Sequence, residues 1–408
     1  MAVPTMTTVT RQAAVEPAQN NGNLIRTPAS ALERPEPAVR RRPGYSWGNA
    51  MKVRLGRSAP SFTRSLSVHC LISHVWLCSL LALGLYSAPA LAQSTVVLVG
   101  SGSTVPAPLY NRWAQEYDKR NPSFQMRYLP SGTSEGIKQT SHGAGDFGAG
   151  EAQLTEQQRR DGNLIELPVV LIGIVPIYNF PGVHQELRLS GEVLAEIFLG
   201  ELKSWNAPSI AKLNPEITLP NLPIQVVNRP PGKGSNYVFT DFLSKVSSHF
   251  RTQVGVTPSP KWPVGTPAER SSDMADKVKE NPGSIGFVEY QYAVKGGIPQ
   301  VAVLNPAGKF VKAAAETMVA ACKAVESPRW SSLSASLTNA PGADSFPITS
   351  FTWIYLRTKS TDSARAAALS DFLDWIYSDG QQFAVQEGYA DLPAPLLTAA
   401  KKKISDLK

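Results

Sequence analysis

Cysteine is scarce in this chain: three in 408 residues, and two of them, Cys70 and Cys78, fall before residue 93. That excludes a small scaffold held by disulfides. Histidine is scarce as well, five in all; His142, His184 and His249 stand singly, and no Cys/His spacing fits a zinc site. No Ser-His-Asp set stands in a recognisable local context, so hydrolytic chemistry lacks a candidate nucleophile. Charged residues make up only 18%, and the 42% of hydrophobic residues is ordinary for a globular protein. The length allows two or three domains, each with a core of its own.

Positive charge is in excess, +8 overall with a pI of about 9.3, which on its face points to nucleic acid or an anionic membrane. Its location removes that reading. Residues 1–50 are rich in Pro, Ala, Arg and Asn, carry the run Arg40-Arg41-Arg42, and show no apolar periodicity; they read as a disordered or untranslated leader. Met51 opens a Sec-type signal peptide over residues 51–92. Lys52, Arg54, Arg57 and Arg64 form a basic n-region, Leu71 to Leu85 the apolar h-region, and Ala90-Leu91-Ala92 the cleavage site. The h-region, interrupted by Ser73, His74 and Ser79, falls short of the roughly 20 apolar residues of a membrane span. Cleavage after Ala92 would remove ten of the 40 basic and three of the 32 acidic residues, leaving 30 against 29. The mature chain is nearly neutral, keeps only Cys322, and has no nucleic-acid signature.

The mature chain alternates strand, small-residue loop and helix. Val96–Val99 leads into Gly100-Ser101-Gly102-Ser103-Thr104 and a helix with Leu109, Trp113 and Tyr117 on one face. Gln125–Leu129 leads into Ser131-Gly132-Thr133-Ser134-Glu135-Gly136, and Asp146–Ala149 makes a short strand. Leu167–Phe180 is an apolar strand-like run broken by Pro176, and residues 190–205 read as an amphipathic helix. Pro220–Val227 makes a strand that runs into Asn228-Arg229-Pro230-Pro231-Gly232-Lys233-Gly234-Ser235, followed by a helix with Val238, Phe239, Phe242 and Leu243. Ser284–Val288 and Phe351–Leu356 complete the strands, and Ala364–Tyr377 is a helix. The pattern is α/β with mainly parallel strands. Three loops place Gly, Ser and Thr where helices start. Such positions bind anions through free N–H groups and the helix dipole; simple N-capping is the alternative at each. Three together, with Arg229 beside one, favour an oxyanion. Gly232–Ser235 is not a nucleotide P-loop, because Lys233 is not followed by Ser or Thr and the motif's first glycine would fall at Val227. Trp205, Trp262 and Trp375 read as core, and Lys401–Lys403 as a solvated helix end.

Gly102–Tyr110 with Trp113 and Tyr117, Ser131–Gln139, Asp146–Ala149, Ile197–Gly200 with Trp205, Ile210–Pro215, Lys261–Gly265, Gly283–Tyr290 and Phe346–Ser350 resemble, in order, the phosphate-binding subunit of bacterial phosphate ABC importers. The resemblance implies a type II periplasmic binding protein. Its two α/β lobes, each a mainly parallel sheet flanked by helices, would be joined by two hinge crossovers. Lobe I would be residues 93–178 plus 349–408 and lobe II residues 179–348, with the ligand in the cleft between. Implied ligand groups are Thr104, the Val105 N–H, Thr133 and Ser134 from one lobe, and Arg229, Lys233, Gly234 and Ser235 from the other. Glu151 stands where the family usually has an aspartate that accepts the proton of hydrogen phosphate; a solvated surface acid is the alternative there. Pro231 replaces an aspartate expected to orient the arginine, and Lys233 replaces a serine donor, with its ammonium on the ligand, on Glu151 or in solvent. The implied protein is a monomeric, non-enzymatic, cofactor- and metal-free receptor in the periplasm. Its partners would be inorganic phosphate and the transmembrane subunits of an ABC permease with their ATPase. Another tetrahedral oxyanion (sulfate, arsenate) or a secreted phosphatase are the competing readings.

Overall fold

The computed structural model describes residues 95–405 except 184, 326–332, 334 and 360–361. The leader expected at 1–50 and the signal peptide at 51–92 lie outside the described residues, as does His184. In chain order come β1 (Val96–Gly102), α1 (Ala107–Asp118), β2 (Phe124–Pro130), α2 (Thr133–Ser141), β3 (Phe147–Gly150), α3 (Glu156–Gly162) and β4 (Leu164–Tyr178). Next are β5 (Arg188–Leu189), α4 (Gly191–Leu199), α5 (Pro208–Leu213), β6 (Gln225–Asn228), α6 (Gly234–Val246), α7 (Ser248–Gln253), β7 (Thr266–Pro267) and α8 (Ser271–Glu280). Then follow β8 (Ser284–Glu289), α9 (Tyr290–Gly296), β9 (Ala302–Leu304), β10 (Phe310–Val311) and α10 (Ala315–Ala324). β11 (Thr349–Arg357), α11 (Ser363–Trp375), a π-helical turn (Ile376–Gly380), α12 (Gln381–Gln386) and α13 (Ala394–Ser405) close the order.

β2, β1 and β3 run parallel at one end of the main sheet, and β8, β6 and β7 run parallel at the other. Between them stand the two crossovers, β11 and β4, so the order is β2-β1-β3-β11-β4-β8-β6-β7. The crossovers are themselves sheet strands. β4 has 15 residues, about 50 Å of extended chain. Its first part pairs antiparallel with β11, from Leu164 to Gly173, and its last, Ile174–Tyr178, with β8. A small second sheet, β10-β9-β5, lies apart.

Pro176 does not break β4, contrary to the sequence expectation. It pairs opposite Phe287, and its carbonyl accepts from Val301 N at 2.9 Å on the other edge. The N and O of one strand residue face the same side, so the missing N–H costs no bond to β8. The helix expected over 190–205 stops at Leu199, because Gly200 takes a left-handed φ of 77° as its C-cap. The strand expected from Pro220 narrows to Gln225–Asn228, past Pro220 and Pro223.

Each half has its own aromatic core. In the first, Tyr110 stacks on Tyr128 with centroids 4.7 Å apart and meets Trp113 edge-on. In the second, Phe239 stacks on Phe287 at 4.3 Å, with Phe198 and Trp262 against them. Trp205 and Trp375 are buried and Trp262 packs on the core, as read from the sequence. These cores hold the C-terminal ends of the parallel strands in place, where ligand crevices form in such sheets.

Candidate functional site

Three helices start at those strand ends: α1 after β1, α2 after β2 and α6 after β6. None has a side-chain cap; their N-cap residues are Pro106, Gly132 and Lys233. By contrast, α3, α4, α7 and α11 begin on side-chain acceptors from Thr155, Ser190, Ser247 and Asp362. The Ser and Thr of these three loops do not act as N-caps, although α5, α9 and α12 also start without a side-chain cap. Gly132 needs its φ of 104°, and a Cβ there would meet the Gly232 carbonyl at 3.0 Å. The turn of α2 thus abuts the turn of α6, and Ser134 N points at Gly232 O at 3.4 Å.

Glu151, just past β3, is wholly buried rather than a surface acid. Thr133 Oγ1 donates to its Oε2 at 3.0 Å, and Thr352 Oγ1 to its Oε1 at 3.4 Å. Burial pushes its pKa up to about 7, against the pull of the Ser103, Thr133 and Thr352 hydroxyls and with a push from the charge of Glu289. Its carboxylate lies against the backbone of Gly234, where a Cβ would overlap Oε2. A cavity of about 10 Å³ beside it, bordered by Gln153, Tyr237 and Trp353, has room for one water.

Arg229 is 1% exposed, yet its Nε, Nη1 and Nη2 have no hydrogen-bond partner. Its backbone is held: Trp262 Nε1 and Asn236 Nδ2 both donate to its carbonyl. A buried guanidinium with three free donor atoms is an anion receptor by chemistry, since its fork matches two oxygens of a tetrahedral anion. Ser235 Oγ, at the buried start of α6, is also without a partner.

The other expected residues divide. Thr133, Gly234 and Ser235 gather around Glu151 and the start of α6. Thr104 is half-buried in the turn before α1. Val105 N donates to Ser103 Oγ at 3.1 Å, so that N–H serves its own turn. Ser134 is exposed. Lys233 ion-pairs with Glu269, an acceptor the sequence reading did not consider. Ser103, Thr352, Glu289 and Tyr389, whose hydroxyl donates to Val105 O at 2.7 Å, were not singled out from sequence. Ser103 and Glu289 lay inside the motifs; Thr352 and Tyr389 carried no local signal. A separate cavity of about 780 Å³ between α4, β6 and α8 is lined by none of the expected ligand residues. Among the described residues no His/Cys/Asp/Glu cluster could hold a metal ion.

A family profile described as a PBP superfamily domain matches residues 89–380. The phosphate-binding protein PstS of Haemophilus influenzae is 34% identical over 307 residues, 75% of this chain and 92% of that protein. Its counterpart from Pasteurella multocida is 35% identical over 314 residues, 77% and 91% of the two chains. The chain belongs to the phosphate-binding protein family of this superfamily. Solved structures of the family share its two-lobed fold at low identity. A high-affinity periplasmic phosphate-binding protein (PfluDING), bound with phosphate, aligns with a TM-score of 0.60 at 18% identity, covering 75% of this chain and 93% of that one. An ABC-type phosphate transport receptor from Vibrio cholerae aligns at 0.52 and 16% identity, over 73% of this chain and 100% of that one.

Proposed function

We propose that the protein is the periplasmic receptor of a phosphate ABC importer. It captures hydrogen phosphate between lobe I (93–178 with 349–408) and lobe II (179–348) and hands it to the permease without chemical change. The observation that carries this reading is the wholly buried Arg229, with three unpartnered donor atoms, at a site that also holds the Thr133–Glu151 pair and three helix starts without side-chain caps. Arg229 and the N-termini of α2 and α6 supply donors to the ligand oxygens. Thr104 and Ser235 add hydroxyls. Glu151, when ionised, only accepts, so it pairs with a P–OH and faces sulfate oxygens with a lone pair. The signal peptide expected at 51–92 supports export. Titration calorimetry tests the reading: phosphate and arsenate bind one to one, and a chromogenic phosphate ester is bound weakly and not hydrolysed. Turnover of the ester contradicts it.

A further inference from the structure

Arg229 is not the sole buried charge left without a partner here. Glu289, the last residue of β8, is 0% exposed, and both its carboxylate oxygens lack a hydrogen bond. An isolated buried carboxylate is strongly disfavoured, so such a group is kept where a ligand or a proton satisfies it. β6 and β8 are neighbouring parallel strands, with Gln225 beside Ser284 and Val226 beside Ile285. Arg229, the residue after β6, and Glu289 therefore leave the same sheet edge on adjacent strands. The charge of Glu289 reaches Glu151 and Tyr389, the phenol bound to Val105 O, and acts on Tyr292 together with that of Arg229.

We propose that Glu289 is a second carboxylate of the anion site and that, with Glu151, it makes capture of the oxyanion consume one proton. The proposal rests on the phosphate reading above. Charge accounting supports it. Arg229 brings one full positive charge, and each helix N-terminus about half of one. Lys233 is already engaged by Glu269. Against these stand two buried carboxylates before any ligand arrives. A hydrogen phosphate dianion entering beside both raises the buried negative charge beyond what the donors offset, and neighbouring like charges drive one group to protonate. The proton comes from solvent. It resides as a second P–OH on the bound ligand, which leaves Glu151 an acceptor.

The charge of Glu289 acts on Glu151 beyond β3, Tyr292 on α9 and Tyr389 beyond α12, and Arg229 beyond β6 and Arg270 before α8 act on the same Tyr292. α8 packs on β8 through Met274 and Val278, and its Asp276, Lys279 and Glu280 are exposed. Asp273 of that helix pairs with Arg270, and Lys277 donates to Pro267 O. Asp241 and Lys245 of α6 pair with each other, and Glu166 of β4 with Arg159.

Calorimetric titration of the purified protein with inorganic phosphate at mildly basic pH, in buffers of different ionisation enthalpy, counts protons taken up per anion. The expected count is about one, with affinity falling about tenfold per pH unit in that range. Glu289→Gln brings the count close to zero and flattens the pH slope; Glu289→Asp, which keeps the charge, keeps the uptake. A wild-type count near zero, or an unchanged count in Glu289→Gln, overturns the proposal. Should Glu289→Gln fail to fold, the wild-type count and pH slope decide alone. A wild-type protein that binds no phosphate at all refutes the phosphate reading and this proposal with it, an outcome distinct from binding without proton uptake.

Discussion

Thr133 Oγ1 donates to Glu151 Oε2 at 3.0 Å, joining the first residue of α2 to the acid that follows β3. The acid is wholly buried, and burial is the first cause of its raised pKa, about 7 against an ordinary 4.5. The folded state therefore holds this proton over a range where the unfolded chain has lost it. Its contribution to stability is full below the unfolded value and is lost as pH rises through about 7. The loss is on the order of 3 kcal/mol for the ligand-free protein. Denaturant melts from mildly acidic to mildly basic pH measure it. Glu151→Gln should flatten that part of the profile.

Arg229 should trade stability for binding. Its buried, unpartnered guanidinium is a burden on the ligand-free fold. Replacing it with methionine is expected to leave stability unchanged or raise it by about 1–4 kcal/mol. The same change should weaken phosphate binding at least about 100-fold, since a charged donor pair is lost. Thermal melts without ligand and calorimetry with it test the two effects separately.

Gly234 brings the start of α6 directly against Glu151 and Thr133. A Cβ there would overlap Glu151 Oε2 and come within 2.5 Å of Thr133 Oγ1. Gly234→Ala should reduce phosphate affinity by about 10- to 100-fold, the scale of an overpacked contact. In a Glu151→Ala background the same change should cost less, because the closest clash, with the Glu151 carboxylate, is gone and only Thr133 Oγ1 remains. A double-mutant cycle reads the difference.

Lys233→Ser should change phosphate affinity by no more than about threefold, the scale of a solvent-facing ion pair. Its ammonium is on Glu269, which is 68% exposed. A large loss would place the ammonium on the ligand instead.

Much of the fold was legible because its signals are local. The strand of Val96–Gly102, the apolar face of Leu109, Trp113 and Tyr117, and the buried Ser284–Glu289 each declare themselves within ten residues or so. Pro176 misled, because whether a proline interrupts a strand depends on which edge its nitrogen faces, and that is set by Val301 far along the chain. The site was readable where loops carry small residues before helices, and at Arg229. Lys233 was not, since its partner Glu269 is 36 residues away in sequence. Thr352 and Tyr389 reach the site only through long-range packing of β11 and the C-terminal segment. Glu289 needed the structure to show that both its oxygens are buried without a partner.

The central claim is that Glu151, as a buried acceptor, selects an anion that carries a proton. Competitive calorimetry of phosphate against sulfate at neutral to mildly basic pH, on the wild-type protein and Glu151→Gln, tests it most directly. The account predicts that wild type prefers phosphate by about 10⁴-fold or more, the scale for a site built on one hydrogen bond. It also predicts that the preference narrows as pH falls through about 7 and the acid becomes a donor, and that Glu151→Gln gains sulfate binding. Sulfate bound by the wild-type protein as tightly as phosphate would contradict it.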